Sequence, residues 1–285
     1  MSMVTSPHPR PATDQSSDPS GRSTPARPAH VADLLRLLVR EPGRPRVTWY
    51  GDDGERVELS GAVLENWVAK TTNLLVEEFD AGPGTTVVLD LPVHWRQVLW
   101  ALASWRVGAT VVIDTQIGTA AEGAGVERAG AGVVVTTRPD AWQGPTPGAA
   151  AGRPVDLVAV ALPALARRFD GDLPPGAVDA ASAVMTYGDQ VGWAPDPDLA
   201  EDALRDGRDV VVHGSLVGPA RPGATPGARV LLRGDGEPAQ TLRAVLDVLA
   251  DDGSVVLLSA DRTRTLDDDP AATDRLVASE RVTGS

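Results

Sequence analysis

The chain has 285 residues, 42% of them hydrophobic and 23% charged, enough to bury a sizeable core as one large domain or two small ones. A net charge of −13, with no Lys/Arg cluster set against it, excludes nucleic acid and anionic lipid as partners. The absence of cysteine excludes disulfides, thiolate metal sites and cysteine nucleophiles, and suits a reducing cytosol.

Residues 1–28 are rich in Pro, Ser and Thr and lack apolar periodicity. They cannot bury enough surface to offset their ordering entropy, so a disordered tail is expected, followed by an α/β domain over 29–285. The start has no basic segment leading into an apolar run, as a signal peptide would, and no apolar stretch approaches the roughly 20 residues needed to span a bilayer. A cytoplasmic protein is expected.

Order begins with Val31, Leu34, Leu35, Leu38 and Val39 at helical spacing. Val47 to Tyr50 reads as a strand, Asp53-Gly54 as its turn and Val57 to Leu59 as its return. Ser60 is the expected N-cap of a long helix carrying Val63, Leu64, Trp67, Val68, Thr71, Leu74 and Leu75. Thr85 to Leu91 is an apolar run suited to a strand buried on both faces, and Val93 to Val107 a helix closed by Gly108. Strands at 110–113 and 132–136, with a short helix between them, precede a Pro/Gly/Ala-rich loop at 142–154 that could separate two subdomains. Further strands are predicted at 155–160, 181–186, 209–213, 228–232 and 254–258, with helices near 197–206, 237–251 and 270–279. The alternation predicts mainly parallel sheets covered by helices on both faces.

Several residues invite a functional reading that their context weakens. Gly123-Ala124-Gly125 hints at a dinucleotide loop, but Arg128 stands where the third glycine belongs. His213 and Ser215 end an apolar strand, where α/β sheets place ligands, and Gly214-Ser215-Leu216-Val217-Gly218 only imitates a nucleophile elbow. His94 reads as a lone helix-associated histidine, and the four histidines never reach metal-ligand spacing. Asp267 to Asp269 reads as a solvated helix start, and Trp67, Trp95, Trp100 and Trp105 as core or subunit contact.

The stretch from Val47 to Ile113 resembles the opening of AMP-dependent synthetases and ligases, the adenylate-forming enzymes that include acyl-CoA synthetases. It carries Ala81-Gly82-Pro83-Gly84-Thr85, then Val87 to Leu91-Pro92, His94-Trp95 and Arg106-Val107-Gly108-Ala109 in the family's order. Thr85 replaces the usual Asp. Ser182 through Gln190 is similar to the strand and phosphate loop of those enzymes, with Thr186 and Gly188 on the pattern, and 227–258 is similar to the unit that follows. The chain looks like a member of a short family of actinobacterial type, distantly related to these ligases and matching only their N-terminal portion.

The resemblance also points to lost chemistry. A triphosphate cradle needs converging N–H groups, hydroxyls and a cation, but after Gly188 come Asp189 and Gln190 with no lysine following. One carboxylate about 4 Å from a phosphate charge costs about 4 kcal/mol at an effective dielectric near 20. The only lysine, Lys70, matches no catalytic motif, and the later segments that carry the family's magnesium and catalytic residues are not found. The expectation is a non-catalytic binding or interaction module, a pseudoenzyme with no catalytic residue and no cofactor. Its degenerate loop, Thr186, Tyr187, Gly188, Asp189 and Gln190, with a pocket near His213 and Ser215 at the C-terminal strand edges, would take a small acyl or nucleoside ligand. A protein partner or self-association is the other expected interaction. Two rivals stand beside it: half of a split acyl-adenylate ligase completed by a partner chain, where ATP and magnesium would enter, and a small-molecule enzyme using His213 and Asp189.

Overall fold

A computed structural model describes residues 27–52, 54–113, 132–142, 155–207, 209–220 and 223–284. The expected tail up to residue 26, Asp53 of the hairpin turn, the short helix and glycine run between 114 and 131, and the loop from 143 to 154 lie outside the described residues.

Helix α1 (Val31–Leu38) leads into the hairpin β1 (Pro45–Tyr50) and β2 (Arg56–Ser60). Ser60 then caps α2 (Gly61–Phe79), its side chain accepting from Val63 N. Gly61 is required at that junction, since a Cβ there would meet Leu38 O at 2.1 Å. Strand β3 (Thr86–Asp90), α3 (Trp95–Arg106) and β4 (Thr110–Val112) form a parallel crossover unit. Gly108 ends α3 at φ 79°, the left-handed conformation expected of it.

Next come β5 (Val133–Thr136), a 3-10 turn (Pro139–Trp142), β6 (Asp156–Ala159) and β7 (Val178–Asp179). They are followed by α4 (Ala180–Ala183), a 3-10 turn (Val184–Thr186), β8 (Asp202–Asp206), β9 (Asp209–Val212) and α5 (His213–Leu216). Strand β10 (Arg229–Leu232), α6 (Pro238–Ala250), β11 (Ser254–Leu258), α7 (Ala260–Asp267) and α8 (Pro270–Ser279) complete the described residues.

Two sheets result, in the orders β10-β11-β1-β2 and β7-β6-β5-β3-β4-β8-β9. Every pairing is parallel except β1 with β2 and β8 with β9. Their facing sides share one core, in which Val47, Trp49 and Leu257 of one sheet and Val87, Leu89 and Val135 of the other close over α2 and α3. The alternate residues point outward. Val256 and Leu258 pack under Leu266 and Leu276 of α7 and α8, and Val88, Val112 and Val134 pack with Trp142.

Two predicted elements are corrected. The apolar stretch 181–186 is not a strand but α4 and a 3-10 turn, because Asp179 caps it by accepting from Ala181 N. Within 197–206, expected as a helix, 202–206 is strand β8, fixed between β4 and β9 by pairing on both edges. Trp95, Trp100 and Trp105 are core residues, and Trp105 Nε1 donates to Ala203 O at 2.7 Å.

The C-terminal helix is locked to the first sheet by Glu280. This carboxylate accepts from Tyr50 Oη at 2.5 Å, from Arg56 Nε at 2.9 Å and from Arg229. Arg229 reaches further, donating to Thr48 Oγ1 at 2.9 Å and to Glu280 O at 2.7 Å. Beyond the helix, Thr283 N donates to Arg229 O at 2.8 Å, laying the terminal turn along the edge of β10.

Candidate functional site

The loop resembling a phosphate cradle lies against α2. Lys70 Nζ donates to Tyr187 O at 2.7 Å, and Asn73, buried in α2, donates to Gly188 O and Gln190 O and accepts from Gly192 N. The loop's carbonyls are therefore turned toward the helix. Thr186 Oγ1 donates to Ala183 O at 2.7 Å, and Tyr187 Oη to Glu78 Oε2 at 3.2 Å. Asp189 is exposed near Glu65, whose carboxyl is pushed upward by burial and then by the Asp189 charge. Gly188 has no positive φ, so it makes no left-handed turn there.

His213 sits elsewhere. Strand β9 runs antiparallel to β8, so the residue after it lands at the N-terminal ends of the parallel strands, and His213 N donates to Glu201 O just ahead of β8. Its buried imidazole lies against the backbone of Gly108 and Ala109, and burial holds its pKa low. Ser215 is exposed. The residues thought to share a pocket at the C-terminal strand edges thus do not lie there: His213 occupies the opposite edge and Tyr187 to Gln190 the flank of α2. The charges His213 feels are Glu201 and Asp198, not Asp189.

The C-terminal strand edges carry a different site. A cleft of about 670 Å³ opens where both sheets present those edges. Gly51 and Asp52 follow β1, Pro92 to His94 follow β3, Leu162 and Pro163 follow β6, Gly234 follows β10, and Ser259 follows β11. This convergence is a product of parallel strands, which deliver successive loops to one edge. Gly234 is forced by the close approach of chains, since a Cβ there would meet Leu258 O at 2.0 Å.

One wall is built around α3. His94 caps the helix, its Nδ1 accepting from Arg96 N at 3.1 Å, and its ring lies 4.5 Å from that of Trp49. Burial, then the Arg96 charge, drives its pKa down to about 3, so the imidazole is neutral. Arg96 sits 4.2 Å over the Trp95 ring and donates to Leu162 O and Pro163 O, bracing the opposite lip. Burial lowers its pKa to about 10, against the pull of Glu55.

The lining is acidic. Asp52, Glu55, Asp235 and Asp261 face it, against one lining guanidinium, Arg264, which is itself paired with Asp261. Ser259 Oγ donates to Asp52 and, as N-cap of α7, accepts from Arg262 N. Among the described residues no group of three or more His, Cys, Asp or Glu could hold a metal ion, and no helix is long and apolar enough to cross a membrane. Pro92 and His94 fall in the Leu91-Pro92 and His94-Trp95 stretch that resembles the family, and the other cleft residues belong to no such motif. Their common signal is position, in segments that follow parallel strands.

Comparison with known proteins gives the chain its relatives. No family model matches it. A TIGR03089 family protein of Mycobacterium tuberculosis is 33% identical over 256 residues, covering 88% of this chain and 95% of that protein. A Brucella canis acyl-CoA synthetase superimposes with a TM-score of 0.65 at 18% identity, over 87% of this chain and 46% of that one. The N-terminal domain of FACL13 from Mycobacterium tuberculosis gives 0.65 at 16% identity, over 90% and 62%. The amide bond synthetase McbA from Marinactinospora thermotolerans gives 0.59 at 17% identity, over 89% and 47%. The chain spans about half the length of most of these solved structures.

Proposed function

Since the chain belongs to the TIGR03089 family and has the fold of the N-terminal portion of adenylate-forming enzymes, we propose that it is a non-catalytic relative of those enzymes that binds a small ligand in the acidic cleft. The observation that carries this reading is the charge of the cleft, four carboxylates against one paired guanidinium. A nucleoside triphosphate does not fit these residues, and among the described residues no group of three or more His, Cys, Asp or Glu could hold its magnesium. Its phosphates would meet carboxylates in this opening on the C-terminal edges, and each close pair costs about 4 kcal/mol at an effective dielectric near 20. The cradle-like loop offers no alternative, because Lys70 and Asn73 already engage its backbone. Adenylation depends on donors and cations converging on the phosphoryl group, and neither place assembles them.

Calorimetric titration of the purified chain with ATP and AMP, with and without magnesium, tests this. No heat of binding is expected. Tight magnesium-dependent ATP binding, or carboxylate-dependent ATP–pyrophosphate exchange by the chain alone, overturns the reading.

A further inference from the structure

Resting on the cleft as the binding site, we propose that it recognises a hydroxylated ammonium compound through Trp49, His94 and Glu55. Trp49 is only 3% exposed, and its Nε1 has no hydrogen-bond partner among the described residues. A buried indole N–H ordinarily finds an acceptor, and the described residues supply none to this one. A methyl group on Gly51 would come 3.3 Å from Trp49 Nε1 and 3.6 Å from Glu55 Oε2, so both groups lie close about this glycine.

Glu55 is held in place by one oxygen, since Oε1 accepts from Ala164 N at 2.9 Å, and Oε2 carries no hydrogen bond among the described residues. His94 supplies a second donor. With Nδ1 accepting from Arg96 N, the proton of the neutral ring resides on Nε2.

The cleft therefore offers neutral N–H donors beside an unsatisfied carboxylate oxygen, under a net negative field. A hydroxyl oxygen satisfies the first and an ammonium group the second. A neutral polyol satisfies only the first, and an anionic sugar is repelled by Asp52, Glu55, Asp235 and Asp261 together. Arg96 lies behind the wall with its donors on Leu162 O and Pro163 O, and so does not offer the cleft an anion site.

The test uses the full chain labelled with nitrogen-15, the Trp49 indole resonance being assigned by its loss in Trp49→Phe. Glucosamine, glucose and glucuronate are titrated as cationic, neutral and anionic forms of one pyranose ring. Glucosamine should shift the Trp49 resonance saturably. Glucose should bind about tenfold more weakly, the factor for one hydrogen bond to a charged group. Glucuronate should not bind. Glu55→Gln, which keeps an acceptor for Ala164 N, should bring glucosamine to the level of glucose, and Gly51→Ala should abolish both shifts. Glucuronate binding as tightly as glucosamine, or no saturable shift with glucosamine, overturns the ligand class while leaving the non-catalytic reading intact. A saturable shift with magnesium–ATP overturns the latter instead.

Discussion

Replacing Glu280 with Gln should remove the main polar lock between the C-terminal helix and the first sheet. Its side chain is 8% exposed, and burial alone would raise its pKa. Hydrogen bonds from Arg56, Tyr50 and Arg229 outweigh burial and bring the value down from 4.5 to about 2. That difference corresponds to about 3 kcal/mol of stability at neutral pH. Because the folded value is depressed, the contribution is fully present above the unfolded value of 4.5 and is lost as pH falls through about 2. Urea unfolding at about pH 7 should show Glu280→Gln less stable by about 3 kcal/mol, and thermal unfolding a midpoint lower by about 6–10 °C. At about pH 3 the deficit should shrink to about 1 kcal/mol, since the native protein has by then lost most of the same contribution. A deficit below about 1 kcal/mol at neutral pH, or one of equal size at both values, refutes the argument.

His94 should give a second acid-sensitive component. Its folded pKa of about 3 lies below the free value of 6.5, so the unfolded chain takes up a proton first and stability falls as pH drops below about 6.5. His94→Asn keeps a capping acceptor for Arg96 N and should flatten that slope in urea titrations taken between about pH 7 and about pH 4. Asn73→Ala should cost about 2–3 kcal/mol by leaving three loop contacts unmade, with hydrogen exchange accelerating at 187–192 before anywhere else.

Much of the first half of the fold is legible from local chemistry. Ser60, Gly108 and the β-branched run of β3 each state their role without tertiary help, as caps and buried strands do. Strand β8 is not legible, because Asp202-Ala203-Leu204-Arg205-Asp206 has no β-branched residue and becomes a strand only by pairing with β4 and β9. The opposite failure occurs at α4, where the Val184-Met185 run suggests a strand although Ala180 to Ala183 favours helix and Asp179 caps it. Helix α7 is mostly polar, and its start is set by Ser259 accepting from Arg262 N. The cleft is the least legible part. Trp49, Glu55, His94, Pro163 and Gly234 are dispersed over most of the chain, and only the parallel strand order gathers them. A local resemblance also does not reveal that Asn73 has turned the cradle-like loop's carbonyls onto a helix.

The four-stranded sheet joins the opening hairpin to the closing parallel pair, with Val47 aligned beside Val255. During synthesis, β1 must therefore wait through roughly 200 residues of translation before its neighbour exists, at ribosomal rates a delay of about 10–40 s. Through that interval the strand carrying Val47 and Trp49 stands without its lateral companion, inviting association between nascent chains. Ordering of the cleft's front wall should thus be among the last events of maturation, and shortening the chain from its far end should disturb the beginning as much as the end.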